Sequence, residues 1–173
     1  MPPRVAPGIA QFGPHKTVSE PRPRSPLLPS ILLGIGLGGF IDGIVLHQIL
    51  QWHHLLTDQG CPAGTVAGLE DNTLADGIFH AATWFAVLGG TVGALRAWQL
   101  GELAPPWRRH LGGLLLGWGG FNLVEGLIDH HILGIHHVRD DLGAPLSWDL
   151  GFLAFGVLLM VVGWMLTRVR APG

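Results

Sequence analysis

A single cysteine, Cys61, stands in 173 residues. It cannot close an internal disulfide, and no cysteine-based metal motif exists. Three methionines give no Met-rich tract of the kind that ligates soft copper(I). Charge is scarce: Asp, Glu, Lys and Arg make up 13% of a chain that is 48% hydrophobic. That balance excludes an ordinary soluble domain. The formal net charge of −2 names no partner, and nothing here points to nucleic acid. Strand-like alternation is missing, which argues against a membrane β-barrel. A signal peptide is missing too, because the first apolar run begins late and no small-residue cleavage site follows it.

What the chain does have is four long apolar runs, roughly Leu27 to Leu50, Leu74 to Ala97, Leu111 to Leu133 and Leu146 to Leu166. Each approaches the ~20 residues a helix needs to cross a hydrocarbon core of about 30 Å. The expected fold is all-α: a four-transmembrane-helix up-down bundle over residues 27–168. Residues 1–26, with Pro2, Pro3, Pro7, Pro14, Pro21, Pro23 and Pro26, are expected to form a disordered tail. Helix 2 is expected to begin near Asn72-Thr73, and Ser147 to cap helix 4.

Arg4, Lys16, Arg22, Arg24, Arg96, Arg108, Arg109, Arg168 and Arg170 all fall on one side of the expected spans, and Arg139 alone on the other. The positive-inside rule then puts both termini in the cytoplasm and the Arg139 side outside. The expected location is a bacterial inner membrane, with the polar end of the bundle toward the periplasm. Trp52, Trp148, Trp98 and Trp107 fit interfacial belts. Trp84 and Trp118 read as core.

The most informative stretch is GGFIDGIVLHQILQWHH, Gly38 to His54, which recurs as GGFNLVEGLIDHHILGIHH, Gly119 to His137. A shift of 83 residues pairs Asp42 with Glu125, Gly43 with Gly126, His47 with His130, and His53-His54 with His136-His137. Asp76, Phe79 and Ala81 match Asp149, Phe152 and Ala154 more weakly. The pattern reads as two helix pairs, about 27–100 and 110–168, sharing one orientation and related by an axis along the membrane normal.

At 1.5 Å per residue, Asp42 and Glu125 lie roughly 21 Å from the inner face, at about the level of His80. One turn higher come His47, Asp76, Asp129 and His130, with Asp149 near them. His53, His54, His136 and His137 fall at the interface, where they read equally well as solvated helix ends. On an α-helix Asp42 and His47 point about 140° apart, so they are not expected to reach one ion together, whereas Asp76 and His80 are an i,i+4 pair that can. Asn122, Glu125 and Asp129 share a face.

Charged groups within a bilayer cost about 2.5–3.5 kcal/mol each or more, and no Lys or Arg is available at this depth. The countercharge must come from histidinium, a proton or a metal ion. Carboxylates with imidazoles suit zinc, iron, manganese or copper(II), and such sites occur inside helical bundles. Expected ligands are Asp42, His47, Asp76, His80, Glu125, Asp129 and His130, with His53, His54, His131, His136, His137, Asp149 and Asn122 as additional candidates. A structural polar core, a proton relay and haem held between His47 and His130 are the competing readings.

GFIDGIVLHQILQWHH, ADGIFH, FNLVEGLIDHHILGIHHVR and SWDLGF resemble a family of small bacterial four-helix membrane proteins catalogued as a domain of unknown function. The resemblance runs from Leu28 to Leu166. It implies membrane location and a functional cluster, and carries no reaction. The expected function is a membrane metal site that activates water or O₂. A metal-handling or insertion protein for a respiratory complex, and a haem-bearing electron carrier, are the alternatives. Homo-oligomerisation or a respiratory-complex partner is expected alongside the lipid bilayer.

Overall fold

The computed structural model describes residues 26–102 and 104–168. The expected proline-rich tail, except Pro26, lies outside them, as do His15, Arg4, Lys16, Arg22, Arg24 and Arg170. Helix α1 covers Leu28–Phe40 and runs on unbroken as a π-helical segment, Ile41–Ile49. Helix α2 is Val66–Gln99. Helix α3, Trp107–Glu125, likewise runs on as a π-helical segment, Gly126–Ile132. A short 3-10 turn, Asp140–Leu142, precedes α4, Leu146–Arg168. With their extensions, the four helices are long and apolar enough to cross a membrane.

Two boundaries differ from the sequence reading. Helix α2 starts at Val66, not near Asn72-Thr73. The Thr65 side chain accepts the Gly68 N–H at 3.1 Å and caps the helix. Its first turns carry Glu70 and Asp71, whose polarity hides them from a hydropathy scan. Helix α4 begins at Leu146, which puts Ser147 inside its first turn instead of at the cap.

The interior is polar and the outside apolar. Among the described residues Val138 is the one buried apolar side chain, while thirteen polar or ionisable residues are buried. Leu, Ile, Val and Trp side chains face outward along all four helices. Trp84, read as core, is 51% exposed and packs edge-on against Phe85. That inversion is what a lipid solvent produces, since outward leucines cost nothing there and buried polar groups must satisfy one another.

Helix α1 packs on both α2 and α3, and α3 packs on α4. Along the central pair, Gly34 meets Leu114, Gly117 meets Ile31 and Ile35, and Gly38 meets Trp118, so α1 and α3 run parallel. Gly36 meets Val87 and Gly90 meets Leu33, which makes α2 antiparallel to α1. Gly112 meets Gly163 and Gly119 meets Gly156, which does the same for α4 and α3. A Cβ at Gly34 or Gly117 would land on a backbone carbonyl of the facing helix. Helices touching backbone to backbone is how small residues drive association in lipid.

Candidate metal centre

The sites of interest begin where α1 and α3 change winding. Hydrogen bonds reaching five residues back stack residue i+5 over residue i. This corrects the expectation that Asp42 and His47 diverge: His47 Nε2 lies 3.3 Å from Asp42 Oδ2. In α3, His130 Nε2 lies 3.0 Å from Glu125 Oε1. Both acids and both histidines are buried.

Each π-helical segment ends at a left-handed residue, Gln51 at φ 49° and Gly134 at φ 55°. The chain then turns back into the bundle. As a result His53 and His136 are not solvated helix ends: they are 3% and 0% exposed. Their rings stack with centroids 4.6 Å apart and planes 7° apart. His47 flanks His53 at 4.5 Å and His130 flanks His136 at 4.9 Å, so four imidazoles pack into one compact group. The expected stack of separate layers is therefore one cluster.

The outward edges of His47, His53 and His136 are tied down, and that of His130 faces a carboxylate without a hydrogen bond. His47 Nδ1 pairs with Asp76 Oδ1 at 2.9 Å. His53 Nδ1 donates to the Val138 carbonyl at 3.0 Å, and His136 Nδ1 faces the Leu55 carbonyl at 3.4 Å. His130 Nδ1 lies 3.4 Å from Asp149 Oδ1. Asp76 and Asp149 are also matched in their other partners. Asp76 takes His54 Nδ1 at 2.8 Å and the Leu55 N–H at 3.0 Å. Asp149 takes His137 Nδ1 at 2.7 Å and the Val138 N–H at 3.0 Å. His54 and His137 thus brace the acids that orient the inner rings.

The inward edges are what this leaves free. His47 Nε2, His53 Nε2, His130 Nε2 and Glu125 Oε2 are buried and have no hydrogen-bond partner. His136 Nε2 meets Glu125 Oε1 at 3.0 Å. Two groups have ligand atoms within 4.8 Å of one another and can hold a metal ion: His47, His53 and His136, and Glu125, His130 and His136. The fit is chemical as well as geometric. Fixing Nδ1 on a carboxylate or carbonyl sets the tautomer that leaves Nε2 as a lone-pair donor. Burial, and then His136 and His47, hold His53 well below the ordinary histidine range, which favours the neutral ligand form.

Other expected residues lie elsewhere. Asp76 gives its oxygens to His47 and His54, so it does not form the expected pair with His80. The Nε2 of His80 is buried without a partner beside Gly43. Asp129 is half-buried and His131 is exposed. His110 bonds Ser30 Oγ at 2.8 Å, far along the bundle from the cluster. The shared centre of the cluster, His53 and His136, was under-weighted from sequence. Gly134 was the available signal: a glycine just past a helix end marks where the chain can turn left-handed and fold back.

Two cavities flank the cluster. One of about 420 Å³ reaches Asp42 and Asn122. The other, about 500 Å³, reaches Glu125 and Asp129. Above the first, the Arg139 guanidinium sits 4.4 Å over Trp52 and 5.1 Å over Trp148, with two 2.8 Å bonds to Asp141.

A four-helix protein with an apolar exterior is a multi-pass membrane protein, and this one carries buried histidine and carboxylate groups that could hold a metal ion. The chain belongs to the family described as "Predicted membrane protein (DUF2243)", whose model matches residues 29–170. No curated protein and no solved structure matches it.

Proposed function

We propose that the cluster is an intramembrane transition-metal centre and that the protein is a metal-dependent membrane enzyme. The observation that carries this is the orientation of the imidazoles. His47, His53 and His136 give their outer nitrogens to fixed partners, while the inner nitrogens of His47, His53 and His130 are buried without a hydrogen bond. A purely structural core would satisfy its buried nitrogens, because an unpaired buried donor or acceptor costs about 1–3 kcal/mol. Several such atoms facing one another are a liability without a cation and an asset with one. The ligands would be His47, His53, His130, His136, Asp42 and Glu125, with Asp76 and Asp149 orienting them. The donor set suits zinc, iron, manganese or copper(II). A metal bound here would polarise water or O₂.

The matched bonds from Leu55 to Asp76 and from Val138 to Asp149, whose donors lie 83 residues apart and whose acceptors lie 73 apart, support a duplicated helix pair as the origin of the centre. The distribution of Arg and Lys supports cytoplasmic termini and a centre near the periplasmic face of a bacterial inner membrane. Haem is a poorer reading, since the rings of His53 and His136 pack directly against those of His47 and His130, where a macrocycle held by the latter two would have to lie. Metal delivery to a respiratory complex uses the same ligands and differs in exchange rate: a carrier releases its ion to a chelator in minutes, and an enzyme retains it.

The test is metal quantitation on purified protein, wild type against Glu125→Ala with His136→Ala. Wild type should carry metal and the double variant should not. Equal, negligible metal in both would end this reading.

A further inference from the structure

The cavity beside Asp42 ends on an unsatisfied group. Asn122 is 2% exposed, and its side-chain carbonyl oxygen has no partner in the protein. It lines the cavity together with Asp42. The remaining walls are apolar: Ile41, Leu46, Trp118, Phe152 and Phe155 among them. The backbones of α1 and α4 do not approach each other closely among the described residues, which leaves a gap between them on the apolar side of the bundle. Ile41 and Phe155 stand at that opening, 41% and 42% exposed. Toward the outer loops the cavity meets Trp52 and Trp148, which Arg139 bridges. The loop end of the cavity is thus capped by two indoles, and Ile41 and Phe155 flank its side opening.

We infer that this cavity is the binding site for a lipid-soluble alcohol or phenol, entering between α1 and α4 with its hydroxyl toward Asn122. This deepens the proposed function, on which it rests, by naming a substrate class. The chemistry is specific at both ends. A buried carbonyl oxygen without a donor selects a ligand that brings one, and a hydroxyl donates one hydrogen while its oxygen stays free. Apolar walls select a hydrocarbon body. Asp42 lines the same cavity and lies 3.3 Å from His47 Nε2, so a hydroxyl at Asn122 sits next to the cluster. The second cavity differs at this point. It presents Glu125 and Asp129 and has no buried amide, so it lacks the feature that selects a neutral donor.

Two glycines make the test clean. Gly151 lines the first cavity and Gly120 the second, and a Cβ at either meets nothing within 4 Å. A Cβ is therefore accommodated at each, and a leucine at one or the other is directed at one cavity only. The experiment titrates 4-octylphenol, and octylbenzene as the same chain without the hydroxyl, into purified protein in phosphatidylcholine nanodiscs. Tryptophan fluorescence is read, because Trp52, Trp118 and Trp148 line the first cavity. Wild type and Gly120→Leu should bind octylphenol saturably, roughly tenfold more tightly than octylbenzene. Gly151→Leu should lose saturable binding, and Asn122→Leu should lose the preference for the phenol. Equal binding of the two probes to wild type, or unchanged binding to Gly151→Leu, overturns the assignment. Metal content is measured on the same samples. Probe binding without metal would retire the metal reading and keep this one, and metal without probe binding would do the reverse.

Discussion

His53 and His136 lie ring on ring, 4.6 Å between centroids and 7° between planes, although each comes from a different loop. The pair joins the two loops at one end of the bundle. His53 reaches across to the Val138 carbonyl and His136 to the Leu55 carbonyl, while the Asp58 N–H donates to the Ile135 carbonyl at 3.1 Å. Burial, and then the neighbouring His136 and His47, hold the His53 ring well below the ordinary histidine range, which favours the neutral form that ligates a metal.

His136 is the ligand common to both groups that can hold an ion. His136→Ala should therefore strip most of the metal, whereas His131→Ala, on an exposed neighbour, should leave it in place. Metal analysis of the two purified variants beside wild type decides this. Comparable occupancy in all three would place the ion elsewhere.

Asp76 and Asp149 touch the cluster through the outer nitrogens of His47 and His130. Loss of such supporting carboxylates commonly costs about 10–100-fold in metal affinity. Asp76→Asn should weaken binding by about that factor without abolishing it, since Asn keeps the carbonyl acceptor and loses the charge. Competition against a chelator of known affinity reads the change. An unaltered affinity would show that the orientation of His47 is set by other contacts.

Aspartate 140 gives the outer loop a pH dependence. Burial first, and the Asp58 charge next, push its carboxyl from 3.8 up to about 6. The folded loop therefore holds its proton more tightly than the unfolded chain. The stability this confers is complete below about pH 4 and is lost as pH rises through about 6. Asp140→Asn keeps the acceptor for the His137 N–H and cannot ionise. Its melting temperature in detergent should be flat between pH 4 and 7, where that of wild type falls. Parallel profiles for the two proteins would refute the assignment.

The four spans were legible in the sequence because lipid demands long apolar runs. The acid–histidine string was legible because acids are rare inside such runs. What could not be read was the winding. Nothing in FIDGIVLHQI separates α from π geometry by hydropathy, yet that difference moves His47 from about 140° away from Asp42 to 3.3 Å from it. The fold-back after Gln51 was hidden for a related reason. A left-handed glutamine carries no glycine signature, so His53 looked like a helix end facing water. Helix α2 hid its own start, because acidic residues in its first turns lie above the apolar run. Depth from a helix end is a good ruler only while the helix stays regular, and both strings leave the regular helix at their acids.

The last prediction concerns what holds the two acid–histidine strings side by side. Gly117 lies against the backbone of Ile31 and Ile35, and a Cβ there would collide with the Ile31 carbonyl. A carbonyl within a helix cannot move aside like a flexible side chain, so α1 and α3 would have to separate. Overpacking of this kind costs typically 1–3 kcal/mol, and more where backbone must shift. Gly120, one turn on, meets nothing within 4 Å and serves as the control. Gly117→Ala should lower the thermal midpoint in detergent by several degrees and reduce metal occupancy, because Glu125 and His130 ride on α3 while Asp42 and His47 ride on α1. Gly120→Ala should leave metal occupancy unchanged and should hold or slightly raise the midpoint, since Ala is the better helix former. If Gly117→Ala melts with wild type and keeps its metal, the close α1–α3 contact is not what assembles the centre.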